Sequence, residues 1–170
     1  MTHIILIRPQ IPPNTGNIAR LCAATRSTLH IVGPVGFRLD DKALRRAGLD
    51  YWPLLQLRLH ENIAALLSAL PAGLPIWCVE TGPSSPYHAI AYPPQCAFAF
   101  GPETCGLSPE TIAQLGGRRC HIPMPEPRVR SLNLSNCVAI ALYEHLRQHP
   151  QPPTASPAEN APPAGHSTAL

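Results

Sequence analysis

The sequence predicts an α/β fold, a mostly parallel sheet with helices on both faces. Two observations carry it. Short β-like runs alternate with helical patterns along residues 1–149, the arrangement that gives parallel sheets. The chain has 170 residues, 45% hydrophobic and 14% charged, enough for one domain with a sizeable core and too few for two. The domain is therefore expected to span 1–149. From Pro150 to Leu170 the chain has six prolines, five alanines and a single charge, Glu159. Such a segment buries too little apolar surface to offset its chain entropy, so 150–170 is expected to be a disordered Pro/Ala-rich tail.

The elements follow in order. Ile4–Ile7 reads as the first strand, and Asn14 or Thr15 is expected to cap a helix running to about Arg26. Leu29–Val32 is the second strand. The stretch Asp40 to Gly48, with an acidic start, a basic end and a Gly stop, reads as a short helix presenting Arg45 and Arg46 either to RNA or simply to solvent. Glu61–Leu70 is helical. Ile76–Val79 and Ala97–Phe100 are strands, Ser108-Pro109-Glu110 opens a helix with a Ser cap and Pro at its first position, and Cys120–Ile122 is the last strand. In the final helix Leu134, Cys137, Val138, Ala141, Leu142 and Leu146 recur at i, i+3, i+4 spacing. That stripe fits the core or a subunit interface.

Several function classes are excluded early. No apolar run approaches the ~18 to 20 residues of a membrane span, and the N-terminus has no signal-peptide pattern. A cytoplasmic protein is expected. The six cysteines lie in apolar stretches without C-x-x-C, and no H-E-x-x-H is present; His145 and His149 stand four apart at a helix end, where solvation is a simpler reading than a metal. G-x-S-x-G and G-x-G-x-x-G are absent. Gly101 to Gly106 has P-loop spacing, but Leu107 stands where that motif needs Lys. Of thirteen cationic residues twelve are arginine, and the net charge is +3. Nucleic acid is thus permitted rather than demanded.

In open parallel sheets ligands bind at the carboxyl ends of the strands, and three loops there carry unusual residues. Asn14-Thr15-Gly16-Asn17-Ile18-Ala19-Arg20 follows the first strand and could meet an anion or ribose phosphate. Phe100-Gly101-Pro102-Glu103-Thr104-Cys105-Gly106-Leu107 brackets one carboxylate between glycines. Ser131-Leu132-Asn133-Leu134-Ser135-Asn136 holds more Ser and Asn than one N-cap requires, with Arg128 and Arg130 beside it. Each loop alone also reads as a turn or a helix cap.

Together these three segments resemble the ordered motifs of the SPOUT methyltransferases. Ile11-Pro12-Pro13-Asn14-Thr15-Gly16-Asn17-Ile18, together with Asp41-Lys42 and Leu44-Arg45-Arg46-Ala47-Gly48-Leu49-Asp50-Tyr51, is similar to the branch that methylates the wobble ribose of tRNA at position 34. The resemblance covers about Ile4 to Leu146. It implies an α/β-knot with a C-terminal trefoil knot, a homodimer formed through the first and last helices with each active site completed by the partner, and S-adenosylmethionine as cofactor. By position the cofactor residues are Val79, Gly101, Ile122, Ser131, Leu132 and Asn133. Arg20 is implied as catalytic, with Asn14, Glu103 and Asn133 positioning ribose and cofactor. Because a guanidinium is a very poor base, Arg20 is better read as stabilising a developing alkoxide. Arg8, Arg45, Arg46, Arg128 and Arg130 are the candidates for phosphate contact. Glu80 and Gly82 depart from the neutral or basic residues that relatives often carry. The same chemistry at another tRNA or rRNA site, and a non-catalytic RNA-binding knot protein, are the competing readings.

Overall fold

The computed structural model describes residues 2–35 and 51–150. Seven strands form one sheet: β1 (Thr2–Ile7), β2 (Thr28–Val32), β3 (Gln56–His60), β4 (Ile76–Val79), β5 (Ser85–Pro86), β6 (Cys96–Phe100) and β7 (Arg118–His121). Their order is β3-β2-β1-β6-β4-β7-β5, and every pairing is parallel. The helices are α1 (Pro12–Thr25), α2 (Ile63–Ala69), α3 (Pro109–Leu115) and α4 (Leu134–Gln148). Single 3-10 turns lie at Trp52–Leu54 and Tyr87–Ala89. The expected helix at 40–48, with Arg45 and Arg46, and the expected tail lie outside the described residues, apart from Pro150.

The strands β2, β4 and β6 are buried along their whole length, because each is covered on both faces. Alternation along the strands divides the core in two. Ile4, Leu6, Leu29, Ile31, Trp77, Phe98 and Phe100 pack with Ile18 and Cys22 of α1 and Val138, Ala141 and Leu142 of α4. On the other face Ile5, Ile7, Val32, Ile76, Cys78, Ala97 and Ala99 meet Leu66 of α2 and Leu115 of α3. The apolar stripe on the last helix is therefore core, and its exposed residues Asn136, Tyr143 and Arg147 lie on the opposite side.

Two elements were not expected. β3 is an edge strand whose sequence Gln-Leu-Arg-Leu-His has no fully buried residue, so it carries no apolar run. β5 is only two residues long.

A row of imidazoles crosses the second face. His3 Nδ1 lies 2.9 Å from His30 Nε2, and His30 Nδ1 lies 2.9 Å from His60 Nε2. Burial pushes His30 down to about 3, helped by the nearby His3 and His60, and burial also lowers His3 and His60. Between pH 6.5 and 3 the unfolded chain therefore binds more protons at His30 than the folded one, and stability falls as pH falls through that window. The urea midpoint is expected to drop from pH 7.5 to pH 5, with a smaller drop in His30→Asn. An equal drop in both would remove His30 from the account.

No helix among the described residues is long and apolar enough to cross a membrane. Among the same residues no group of three or more His, Cys, Asp or Glu is placed to hold a metal ion.

Candidate active site

In this sheet β1 leads outward to β2 and β3 on one side, while β6 separates β1 from β4 on the other. The loops at the carboxyl ends of the strands diverge at this switch of direction and leave a crevice. There lies a cavity of about 750 Å³, within the size range of small-molecule sites. Its walls are Val79 to Thr81 after β4, Phe100 to Gly106 after β6, Ile122 and Met124 after β7, Arg130 to Leu134 leading into α4, Cys137, and Ile11 and Asn14 at the start of α1.

The loop after β6 is folded tightly on itself. A Cβ on Gly101 would collide with the Gly106 carbonyl and the Leu107 nitrogen, and one on Gly106, whose φ is +67°, would collide with the Glu80 carboxylate. Only glycine fits at either position.

Glu103 joins this loop to α1. Its Oε2 accepts the Gln10 N–H at 2.8 Å, and its Oε1 accepts the Ile11 N–H at 3.1 Å and the Asn14 Nδ2 at 3.0 Å. This corrects the expected helix start. The helix opens at Pro12 and Pro13 with Ile11 as N-cap and no side-chain cap bond, since proline suits the first helical positions, where no amide donor is needed. Asn14 and Thr15 are buried inside the first turn instead, and Thr15 Oγ1 has no hydrogen-bond partner among the described residues. Asn14 faces Glu103 on one side and Asn133 on the other, where Asn133 Nδ2 donates to Asn14 Oδ1 at 2.9 Å. Asn133 in turn caps α4, its Oδ1 accepting the Ser135 N–H at 2.9 Å and the Ser135 Oγ at 2.7 Å. The chain Glu103–Asn14–Asn133–Ser135 ties three loops into one polar seam.

All six residues named for the cofactor line the cavity, as do Asn14, Glu103 and Asn133. Arg20 is not in that lining. It lies on the exposed face of α1 with Pro13, Asn17 and Ala24, its guanidinium 5.3 Å from the centre of the Tyr51 ring. Arg130 borders the cavity. Arg128 is exposed and paired with Glu126 at 2.7 Å. Arg8 is exposed at the end of β1, with φ +47° and its N–H on the Val32 carbonyl at 2.8 Å. The thiol of Cys137 is pushed by burial up to about 11, so it is uncharged at neutral pH.

The profile of the SpoU rRNA Methylase family matches residues 1–143. The chain belongs to this family. This SpoU methylase is 49% identical over 150 residues to a tRNA (cytidine(34)-2'-O)-methyltransferase of Methylovorus glucosotrophus (strain SIP3-4), covering 88% of this chain and 96% of that one. A solved structure described as "Structural insights into the 2-OH methylation of C/U34 on tRNA" superposes with a TM-score of 0.82 at 43% identity, over 87% of this chain and 95% of that one. The fold is shared more widely. The SpoU methyltransferase AviRb from Streptomyces viridochromogenes, in complex with the cofactor AdoMet, matches with a TM-score of 0.74 at 24% identity, over 86% of this chain and 57% of the other.

One wall residue of this SpoU methylase was not among the expected site residues. Glu80 stands directly after the apolar β4 and lines the cavity, with its carboxylate against Gly106 and Leu107. Burial raises its pKa, against the pull of the Leu107 N–H and of Arg119. The sequence marks Glu80 as a departure from relatives, and a lone acid immediately after a buried strand at the ligand-binding edge of the sheet is the local signal that places it in the site.

Proposed function

We propose that this methyltransferase moves the methyl group of S-adenosylmethionine to the ribose 2′-oxygen of nucleotide 34 of tRNA. The observation that carries the reading is the cavity built from the loops after β4, β6 and β7 and joined by Glu103 and Asn133 to α1. Its volume and its mixture of apolar side chains with strand-end backbone suit a nucleoside cofactor. Val79, Gly101, Ile122, Ser131, Leu132 and Asn133 would hold that cofactor, which supplies an electrophilic methyl group when bound. The substrate follows from the relatives just described.

The chain's own residues have the remaining work of orientation and charge. The polar seam bonds Asn14 and Asn133 to each other, so a ribose placed beside this pair meets amides that do not need to reorganise. As the 2′-hydroxyl gives up its proton in order to attack, negative charge grows on its oxygen. Arg20 stabilises that charge and the neighbouring phosphate, with the proton passing to phosphate or water. Since Arg20 lies outside the cavity lining of its own chain, the reading includes the homodimer through α1 and α4, in which the exposed face bearing Arg20 serves the partner's cavity. Tyr143, 58% exposed on α4, is an apolar surface residue that such a dimer would cover. The trefoil knot implied by the family resemblance belongs to the same reading.

The deciding experiment incubates the protein with S-adenosylmethionine and bulk tRNA from a strain lacking this activity, followed by mass spectrometry of digested nucleosides. A 2′-O-methyl pyrimidine at position 34 is expected. Methylation at another ribose would keep the chemistry and replace the substrate, and no methylation despite cofactor and RNA binding would leave a non-catalytic binder.

Arg8, Arg128 and Arg130, with Arg45 and Arg46, are proposed phosphate contacts. tRNA affinity should then fall steeply with salt, and Arg130→Ala should reduce the slope of log K against log salt by about one. An affinity independent of salt would count against all five.

A further inference from the structure

Three charged residues line the cavity, Glu80, Glu103 and Arg130, and the Glu80 carboxylate packs against Gly106, itself a lining residue. The two acids are not equivalent. Glu103 has both oxygens engaged by Gln10, Ile11 and Asn14. Glu80 is anchored differently. Its N–H donates to the Cys120 carbonyl at 3.0 Å, which fixes the residue beside β7, and its Oε1 accepts the Leu107 N–H at 2.6 Å. No described residue donates to its Oε2. The half-buried carboxylate is thus held in place by one N–H; Arg119 is near enough for its charge to act on it, but no ion pair within 4 Å joins them among the described residues.

We propose that Glu80 is the counter-charge by which this cavity prefers a cationic sulfonium donor to its neutral thioether product. The inference rests on the function proposed above. In that reaction the carbon–sulfur bond breaks, a carbon–oxygen bond forms to the ribose, the 2′-hydroxyl loses its proton, and the sulfur keeps the electron pair and becomes neutral. Reactant and product differ by one methyl group and one positive charge. A fixed carboxylate in a partly desolvated wall attracts the first and not the second. Its attraction therefore disappears when the methyl group leaves, which favours exchange of spent cofactor.

Glu80→Gln removes the charge and retains an oxygen to accept the Leu107 N–H. Calorimetric titration of the full chain with S-adenosylmethionine and with S-adenosylhomocysteine reads the difference. The variant is expected to lose about tenfold or more in affinity for the sulfonium and less than about twofold for the thioether. A parallel loss for both, or no loss for the sulfonium, overturns the proposal while leaving the cofactor site in place. The wild-type chain gives a test that needs no variant: equal affinity for the two compounds overturns it as well. Binding of neither would remove the cofactor reading and this inference together.

Discussion

Arg20→Ala is expected to lower methyl transfer by at least about a hundredfold, the loss typical when a group stabilising developing charge is removed. S-adenosylmethionine affinity should stay within about twofold, because a residue outside the cavity lining contributes little to ground-state binding of the cofactor. Single-turnover rates with saturating tRNA, measured beside cofactor titrations, separate the two. Equal loss of transfer and cofactor binding would make Arg20 structural or cofactor-binding. Arg20→Lys sharpens the test, since partial activity in that variant points to charge rather than to the guanidinium fork. If Arg20 serves the partner's cavity, mixing Arg20→Ala with Asn133→Ala subunits should restore activity that neither variant has alone. Failure of mixing to restore any would return Arg20 to its own chain's site.

Glu103→Ala should be the most damaging side-chain truncation in the loops. It leaves the Gln10 and Ile11 amides and the Asn14 side chain without their shared acceptor, and hydrogen bonds to a charged group are each worth more than neutral ones. A cost of about 2 to 3 kcal/mol is expected, which for a domain of this size lowers Tm by roughly 4 to 12 °C. Transfer should fall further than stability, because Asn14 loses one of its two anchors. Glu103→Gln keeps an acceptor oxygen and should recover a large part of the melting temperature. If Glu103→Ala melts with the wild type, the carboxylate does not hold the entry to α1.

How far the sequence revealed this molecule depended on where each signal resides. The strands β1, β2, β4, β6 and β7 were legible to within a few residues, and four of them are strongly apolar runs because they lie between two layers of helix. β3 was missed because an edge strand reading Gln-Leu-Arg-Leu-His exposes most of its side chains and has no apolar run; its one signal is a polar–apolar alternation only five residues long. The cap of α3 at Ser108 was legible because cap and helix are neighbours in sequence. The start of α1 was misjudged for the opposite reason. Its acceptor, Glu103, is supplied from more than 90 residues away, and no local pattern speaks to that. Asn14 and Asn133 were recognisable as unusual, but their bond to each other, across 119 residues, exists only once α4 packs against α1.

The three stacked imidazoles have a sense of direction. A neutral His30 can donate from only one of its nitrogens, and both are taken by its neighbours. With the hydrogen on Nδ1, His30 donates to His60 and must accept from a His3 that also carries its hydrogen on Nδ1; with the hydrogen on Nε2, all three rings reverse. Neutral rings therefore share one tautomer, and the row behaves as a single polar rod laid across β1, β2 and β3. A donor or acceptor that settles the hydrogen of His60 at the sheet edge settles that of His3 two strands away.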